Sequence, residues 1–245
     1  MYALKEIGKY STLLYQALRS STEVSTYRKN LFQELVKVGY DSVPIIMLVG
    51  VFTGSVMTLQ SAYQLESAFI PLSTIGAIVS ESILIELAAV ISGLVLAGKV
   101  GARVATELGN MRVSEQIDAL ESMGFNSVSF LVVPRVLAGV LMFPVLYIVA
   151  GIFGLGGGLA AGYFSGAVPP DDFLKGARMY FYPWNVVFGF VKSFVFGFII
   201  TTVACYKGYY ASGGAEGVGR STTEATVLGC IYILLADFIL AVLLL

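Results

Sequence analysis

Five long runs of apolar residues, separated by shorter polar segments, constrain the fold of this chain more than any other feature. The runs at 42–65 and 136–170 contain no charged residue at all. A helix that crosses a bilayer needs about 20 mostly apolar residues. The pattern therefore predicts an all-α integral membrane protein with one transmembrane domain and five spans, at about 42–65, 80–102, 136–163, 184–206 and 225–245.

Charged residues are too few for a soluble protein. They make up 13% of the chain, against about 25% in a typical soluble domain. The net charge of −1 and the absence of histidine argue against a nucleic-acid partner and against a metal site. Motifs for phosphate loops, zinc proteases and nucleophile elbows are also missing. We therefore expect a non-catalytic chain without a cofactor of its own; if it uses energy from ATP, another subunit must supply that energy.

Lysine and arginine are distributed unevenly among the connecting segments. The N-terminal segment and every second connection after it hold twelve of them, whereas the other connections hold two, Lys175 and Arg178. Short loops rich in these residues stay in the cytoplasm. The distribution predicts a cytoplasmic N-terminus, an external C-terminus and a cytoplasmic position for the polar insert at 107–124.

The first 40 residues have the pattern of amphipathic helices rather than of a span. Apolar residues recur there at helical spacing, at Ile7, Tyr10, Leu14 and Ala17, with basic residues beside them. The same pattern is repeated just before the first span. It is typical of a helix that lies in the membrane interface. We predict an interfacial elbow, with a soluble amphipathic arm as the alternative.

The polar insert, ELGNMRVSEQIDALESMG, is expected to contain one short helix over Val113–Met123. Ser114 and Gly124 provide its start and stop signals, and Leu120 lies in its apolar sector. Three acidic residues follow at intervals of three, namely Glu115, Asp118 and Glu121. Such a helix can dock into a groove on a soluble partner. The alternative is a loop helix resting on lipid headgroups, although an anionic inner leaflet repels carboxylates.

Two predicted spans contain an isolated charge, Lys192 in span four and Asp237 in span five. A charge that faces lipid costs at least about 3 kcal/mol, so each should face the protein interior or a partner. At the helical rise, the two residues lie about 21 and 18 Å from the cytoplasmic ends of their spans. An intramembrane ion pair is therefore feasible. The alternatives are a functional relay and two unrelated positions.

Glu86 is an isolated carboxylate near the external end of span two. It shares one helical sector with Glu81, Ser82 and Ile85. A carboxylate inside a membrane marks a candidate site by default. It could line a cavity that receives a polar headgroup, or point back toward water.

Glycines within the spans predict close helix packing. Gly50 and Gly54, and likewise Gly154 and Gly158, are separated by three residues. Small residues at this spacing let two helix backbones approach each other in a membrane. The pattern predicts tight packing without indicating what it is for.

One stretch, IELAAVISGLVLAGKVGARVATELGNMRVSEQIDALESMG, resembles the MlaE permease family, the membrane subunits of MCE-type ABC lipid transporters. Further matching motifs cover nearly the whole chain from about residue 30, namely PRVLAG at 134–139, VKSFVFG at 191–197, EGVGRSTT at 216–223 and DF at 237–238. The resemblance implies a homodimer in a bacterial inner membrane that moves phospholipid or a related lipid. It implies three protein partners, namely a cytoplasmic ATPase that carries ATP and Mg²⁺, a periplasmic MCE-domain protein and a small accessory subunit.

The resemblance also implies roles for particular residues. The helix in the insert would be the coupling helix that docks on the ATPase, with candidate contacts at Glu115, Asp118, Leu120 and Glu121. The lipid cavity of the family, at the dimer interface, would be lined by Leu59, Gln60, Glu86 and Leu87. Some relatives carry an arginine before that glutamate. This chain has Ile85, which argues against a cationic phosphate contact there.

Two other functions remain open at this point. An ion-coupled secondary transporter or channel could use Glu86, Lys192 and Asp237 as an ion path, although the five spans show no inverted repeat of the kind found in such transporters. A passive scaffold for other membrane proteins would also be compatible with the glycine-rich spans.

Overall fold

A computed structural model of the protein describes residues 2–19, 28–65 and 71–244. These residues form α-helices without any β-strand. The helices are α1 Tyr2–Arg19, α2 Arg28–Val38, α3 Val43–Gln64, α4 Ser73–Ser82, α5 Ala88–Leu96, α6 Ala102–Val113, α7 Gln116–Ser122, α8 Ser127–Ser165, α9 Pro170–Met179, α10 Pro183–Tyr209 and α11 Gly214–Leu244. A 3₁₀ turn, Tyr40–Ser42, precedes α3, and π-helical turns, Ile83–Leu87 and Ala97–Gly101, connect α4, α5 and α6.

The prediction of five spans is confirmed. Among the described residues, five helical segments are long and apolar enough to cross a membrane, namely Arg28–Gln64, Ser73–Val113, Ser127–Ser165, Pro183–Tyr209 and Gly214–Leu244. Several extend beyond their predicted bounds. The third was expected to begin at 136, after Arg135, but it begins at Ser127. The helix accommodates Arg135 because both terminal nitrogens of the guanidinium have partners: Nη1 donates to the Leu131 carbonyl at 2.7 Å and Nη2 donates to Glu107 at 3.1 Å.

Three parts of the predicted architecture lie outside the described residues. They are residues 20–27 of the elbow, residues 66–70 of the connection after span one, and Leu245 at the end of span five. Within α1, the side chain of Ile7 also lies outside the description. Tyr10, Leu14 and Ala17 are half-buried and Leu13 is fully buried, so α1 has a buried face as its pattern predicts.

The described chain divides into two compact units. Unit 1 consists of Met1–Asp41, Leu94–Met142 and Val195–Phe238. Its helices are joined largely through polar side chains. Tyr10 of α1 donates to Thr202 Oγ1 of α10 at 2.8 Å, and the Thr106 and Thr222 hydroxyls of α6 and α11 are 2.8 Å apart.

Unit 2 consists of Ser42–Gly93, Phe143–Phe194 and Ile239–Leu245. Its helices are joined largely through glycine. A Cβ on Gly54 of α3 would collide with the Gly154 backbone of α8, and one on Gly76 of α4 would collide with the Phe173 backbone of α9. The close packing predicted from the glycine spacing is thus confirmed for α3 and α8. Pro44 lies in the first turn of α3, where its missing N–H costs no helical hydrogen bond.

Candidate functional site

An ion pair lies within unit 2. The Lys192 ammonium of α10 is 2.6 Å from Glu86 Oε2, and it lies over the Phe188 ring at 4.5 Å from the centroid. The lysine side chain is 0% exposed, whereas that of the glutamate is 41% exposed. A fully buried cation thus holds a carboxylate that has one side open. Sequence reasoning singled out both residues but did not predict that they pair.

The backbone around Glu86 is a π-helical turn, Ile83–Leu87. Such turns insert one residue into an α-helix and frequently occur at functional sites. The Tyr147 hydroxyl of α8 donates to the Leu84 carbonyl of this turn at 2.8 Å. A side chain at position 189 would occupy the same space, since a Cβ on Gly189 would meet both the Tyr147 hydroxyl and the Leu84 carbonyl. The glycine on α10 therefore permits the contact that fixes the turn.

The other residues assigned to a lipid cavity occupy different surroundings within unit 2. Leu87 lines a cavity of about 10 Å³ together with Gly50, Gly54 and Gly154, which is at the lower limit for one water molecule. Leu59 and Gln60 lie exposed on α3 and do not line this cavity. The cavity in one chain is thus too small for a lipid, and the lipid-binding role of the four residues stays a prediction.

Asp237 belongs to unit 1, whereas Lys192 belongs to unit 2. The predicted ion pair between them therefore stays a prediction. The sequence-based prediction compared the membrane depths of Lys192 and Asp237 only. The structure shows that Glu86, in span two, is a partner of Lys192.

The polar insert differs from its predicted form. Residues up to Val113 continue α6, and the short helix α7 begins only at Gln116. Glu115 between them has a left-handed backbone, with φ of 59°, so it lies outside the helix that was expected to contain it. The predicted stop is observed: Gly124 has φ of 81°. The Gly124 N–H donates to the backbone carbonyl of Glu121, and the Phe125 N–H donates to that of Leu120. These two hydrogen bonds form the Schellman motif.

The four predicted coupling residues differ in their exposure and in their side-chain contacts. Glu115 is exposed and Leu120 is half-buried. Asp118 is 55% exposed and pairs with Arg112 of α6 at 2.8 Å. Glu121 accepts hydrogen bonds from Ser127 at 2.6 Å and from Tyr209 at 2.9 Å. These donors hold the pKa of the Glu121 carboxyl below its usual value, so it serves to anchor α7.

A second charged cluster, which sequence reasoning missed, lies in unit 1. Arg135 of α8 is 3.1 Å from Glu107 of α6 and 3.7 Å from Glu34 of α2. Arg103 is 3.3 Å from Glu34 and 3.4 Å from Glu107, and Lys37 lies at the edge of the cluster. The spacing of Arg103 and Glu107, four residues apart on one helix, could have predicted that these two residues pair. The sequence alone did not indicate that Glu34 and Arg135 complete the cluster.

Comparison with known proteins identifies the family. Residues 31–243 match the family described as Permease MlaE. The chain belongs to the MlaE permease family. Among relatives of this MlaE-family chain, a probable ABC transporter permease protein of Rickettsia bellii is 37% identical over 96% of this chain and 91% of its own length. The intermembrane phospholipid transport system permease protein MlaE of Haemophilus influenzae is 30% identical over 96% and 90%.

A third relative is a probable ABC transporter permease protein of Synechocystis, which is 38% identical over 87% of this chain and 81% of its own length. The matched region begins within α2 and ends one residue before the end of α11, so it covers nearly all of the five apolar segments. Family membership and these segments together identify the chain as a multi-pass membrane protein. They also confirm the resemblance on which the sequence-based assignment of the family rested.

Proposed function

We propose that this chain is the non-catalytic permease subunit of an ATP-driven transporter that moves phospholipid between the bacterial inner membrane and an MCE-domain protein. The observation that carries the proposal is the family match over residues 31–243. A relative named as an intermembrane phospholipid transport permease aligns along 90% of its own length, which supports a shared substrate class.

In this proposal α7 is the coupling helix. Asp118 on its outward surface and Glu115, which directly precedes the helix, would face a basic groove on the ATPase. Its inward surface is fixed, because Ile117 is 0% exposed and Glu121 is hydrogen-bonded to α8 and α10. A helix anchored in this way moves with the helices that it contacts. Movement of the ATPase would therefore be transmitted through α7 to α8 and α10.

The lipid would be handled in a cavity completed by a second copy of the chain. In support, α3 has a row of apolar residues that the described part of the chain leaves exposed, at Leu48, Phe52, Val56, Leu59 and Tyr63. The open side of Glu86 would face the cavity as a polar point of contact. The Lys192 ammonium, 2.6 Å away, holds that carboxylate in place.

An ion-coupled transporter is the second candidate, and the Lys192–Glu86 pair is the observation that favours it. Ionisable residues inside membrane segments occur along proton and ion pathways. In that mechanism, protonation of Glu86 would release Lys192 and open a path. Transport would then depend on an ion gradient and would need no nucleotide.

Purification from the native membrane followed by reconstitution tests the proposal. We expect an ATPase, an MCE-domain protein and phospholipid to co-purify with the chain, and lipid transfer in proteoliposomes to require ATP hydrolysis. Transfer that proceeds without ATP and follows an imposed ion gradient would favour the ion-coupled mechanism instead.

The substitution Glu115→Lys tests the coupling surface. It reverses an exposed charge and keeps the backbone hydrogen bonds of residue 115 with Arg112 and Ala119, so the chain should fold and the ATPase should dissociate. Asp171→Lys reverses an exposed charge on α9, on the predicted external side, and serves as the matched control. Retention of the ATPase by the Glu115→Lys variant would contradict the coupling assignment while leaving the family assignment intact.

A further inference from the structure

A crevice of about 390 Å³ lies within unit 1, between α1, α10 and α11. It is separate from the residues discussed above for transport. Two hydrogen bonds hold α1 beside the crevice: Tyr10 donates to Thr202, and Tyr206 donates to the Glu6 carboxylate at 2.6 Å. The volume lies within the range of about 300–1,000 Å³ that is usual for small-molecule sites.

The crevice is polar at one end and apolar along its length. On α10 the wall changes from Ile199 and Val203 to Lys207, and on α11 it includes Leu228 and Tyr232. The polar residues of α10 and α11 lie at the same end of the crevice. Lys207 of α10 pairs with Glu224 of α11 at 2.8 Å, and Glu224 lies one helical turn before Leu228. From Lys207 to Ile199 the slot extends about 12 Å at the helical rise. This division suits an amphiphile with one polar head.

The polar end carries both signs of charge. The Glu6 carboxylate lines the crevice together with the Lys207 ammonium. A carboxylate repels a purely anionic head, and a lysine repels a purely cationic one. A head with a phosphate and a primary ammonium can contact both, with the phosphate at Lys207 and the ammonium at Glu6.

We propose that the crevice binds one zwitterionic phospholipid with an ethanolamine head, which seats α1 against α10 and α11. An acyl chain lies along Ile199, Val203 and Leu228, and the head lies beneath α1. This lipid is a resident of the chain and not its transported cargo. The proposal rests on the membrane location of the chain and stands whether or not the proposed transport is correct.

Photo-crosslinking tests the site. The purified full-length chain would be placed in nanodiscs with a diacyl phosphatidylethanolamine probe that carries a photoreactive group in its acyl chain. Labelled peptides would be mapped by mass spectrometry, and the experiment would be repeated with a phosphatidylglycerol probe of the same chains. We expect the ethanolamine probe to label the peptides around Ile199–Val203 and Leu228 at least about fivefold more than the glycerol probe.

Two pairs of variants identify the determinants. Leu228→Trp fills the crevice and should reduce labelling severalfold, whereas Leu234→Trp, at an exposed position of the same helix, should not. Glu6→Gln should remove the preference for ethanolamine, whereas Asp171→Asn should leave it unchanged. Equal labelling in the Leu228→Trp and Leu234→Trp variants would overturn the site. Equal labelling of the native chain by the two probes would overturn the head assignment.

Discussion

The two compact units hold their helices together by different means. Unit 2 uses direct contact between backbones at Gly54 and Gly76, and it includes one ion pair whose ammonium is fully buried. Unit 1 uses tyrosine and threonine hydroxyls and a cluster of five charged residues, namely Glu34, Lys37, Arg103, Glu107 and Arg135. Both solve the problem of joining apolar helices in a solvent that provides no hydrophobic force between them.

The two units differ in whether a lost contact leaves an alternative partner in place. Within the cluster of unit 1, each arginine contacts both Glu34 and Glu107, so loss of one carboxylate leaves the other in place. The glycine contacts of unit 2 offer no such alternative, because the backbone atoms that meet there cannot move aside as a side chain can. We therefore expect single substitutions to be more damaging in unit 2 than in unit 1.

The largest effect is expected at Lys192. The substitution Lys192→Met leaves the half-exposed Glu86 carboxylate without the ammonium at 2.6 Å, and a charge inside a membrane segment that loses its partner costs about 3 kcal/mol. The double substitution Lys192→Met with Glu86→Leu should recover much of that loss, since no uncompensated charge remains. The free energy of unfolding in detergent is the measurement. Equal losses in the single and double variants would contradict the account.

A second double variant, Lys192→Met with Asp237→Leu, sharpens the assignment of partners. If Asp237 also pairs with Lys192, this variant should be more stable than Lys192→Met alone. If it is no more stable, Glu86 is the energetically relevant partner and the pair predicted from the sequence is wrong.

A smaller loss is expected at Gly54. The substitution Gly54→Ala places a methyl group against the Gly154 backbone, which has no side chain that could move aside. Overpacking of this kind costs about 1–3 kcal/mol. Gly156→Ala is the matched control on α8, because nothing lies within 4 Å of its Cβ position. The control should be neutral or stabilising in the same unfolding measurement, since alanine favours a helix over glycine.

The cluster of unit 1 should be more tolerant. The substitution Glu34→Gln removes one charge, but Arg103 and Arg135 keep Glu107, so we expect a loss of about 1–2 kcal/mol. Lys37→Met, at the most exposed member of the cluster, should change stability by less than about 0.5 kcal/mol. A loss at Glu34 as large as that at Lys192 would remove the distinction between the two units.

The smallest effect should depend on pH. Because hydrogen bonds lower the pKa of Glu121 in the folded protein, its contribution is present above the ordinary glutamate value of about 4.3. It is lost as the pH falls through the folded value. Substituting Ser127→Ala and Tyr209→Phe should therefore increase amide exchange in α7 at pH 6, relative to the native chain. The difference should decrease as the pH falls below about 4.3 and through the folded value, and a difference that stays the same throughout acidification would contradict this role.

The candidate site was only partly predictable from the sequence. Lys192 and Glu86 were identified because isolated charges in apolar runs are costly, but their contact depends on the π-helical turn and on the rotation of α10. The hydrophobic pattern does not encode either of these. The insert shows a similar limit. Its stop at Gly124 followed from glycine chemistry, whereas the left-handed Glu115 that separates α6 from α7 has no distinctive residue type to announce it.

The sequence by itself determined that five apolar helices form, because hydrophobicity and the 3.6-residue period are local properties that each segment carries alone. It also indicated that Gly54 and Gly154 would be contact points, from their spacing to other glycines, whereas the contacts at Gly76 and Gly189 were not evident from the sequence. The tertiary structure decided which charges meet. Glu34 and Arg135 are about 100 residues apart in the chain, and an ion pair depends on distance in space, which the arrangement of helices alone sets.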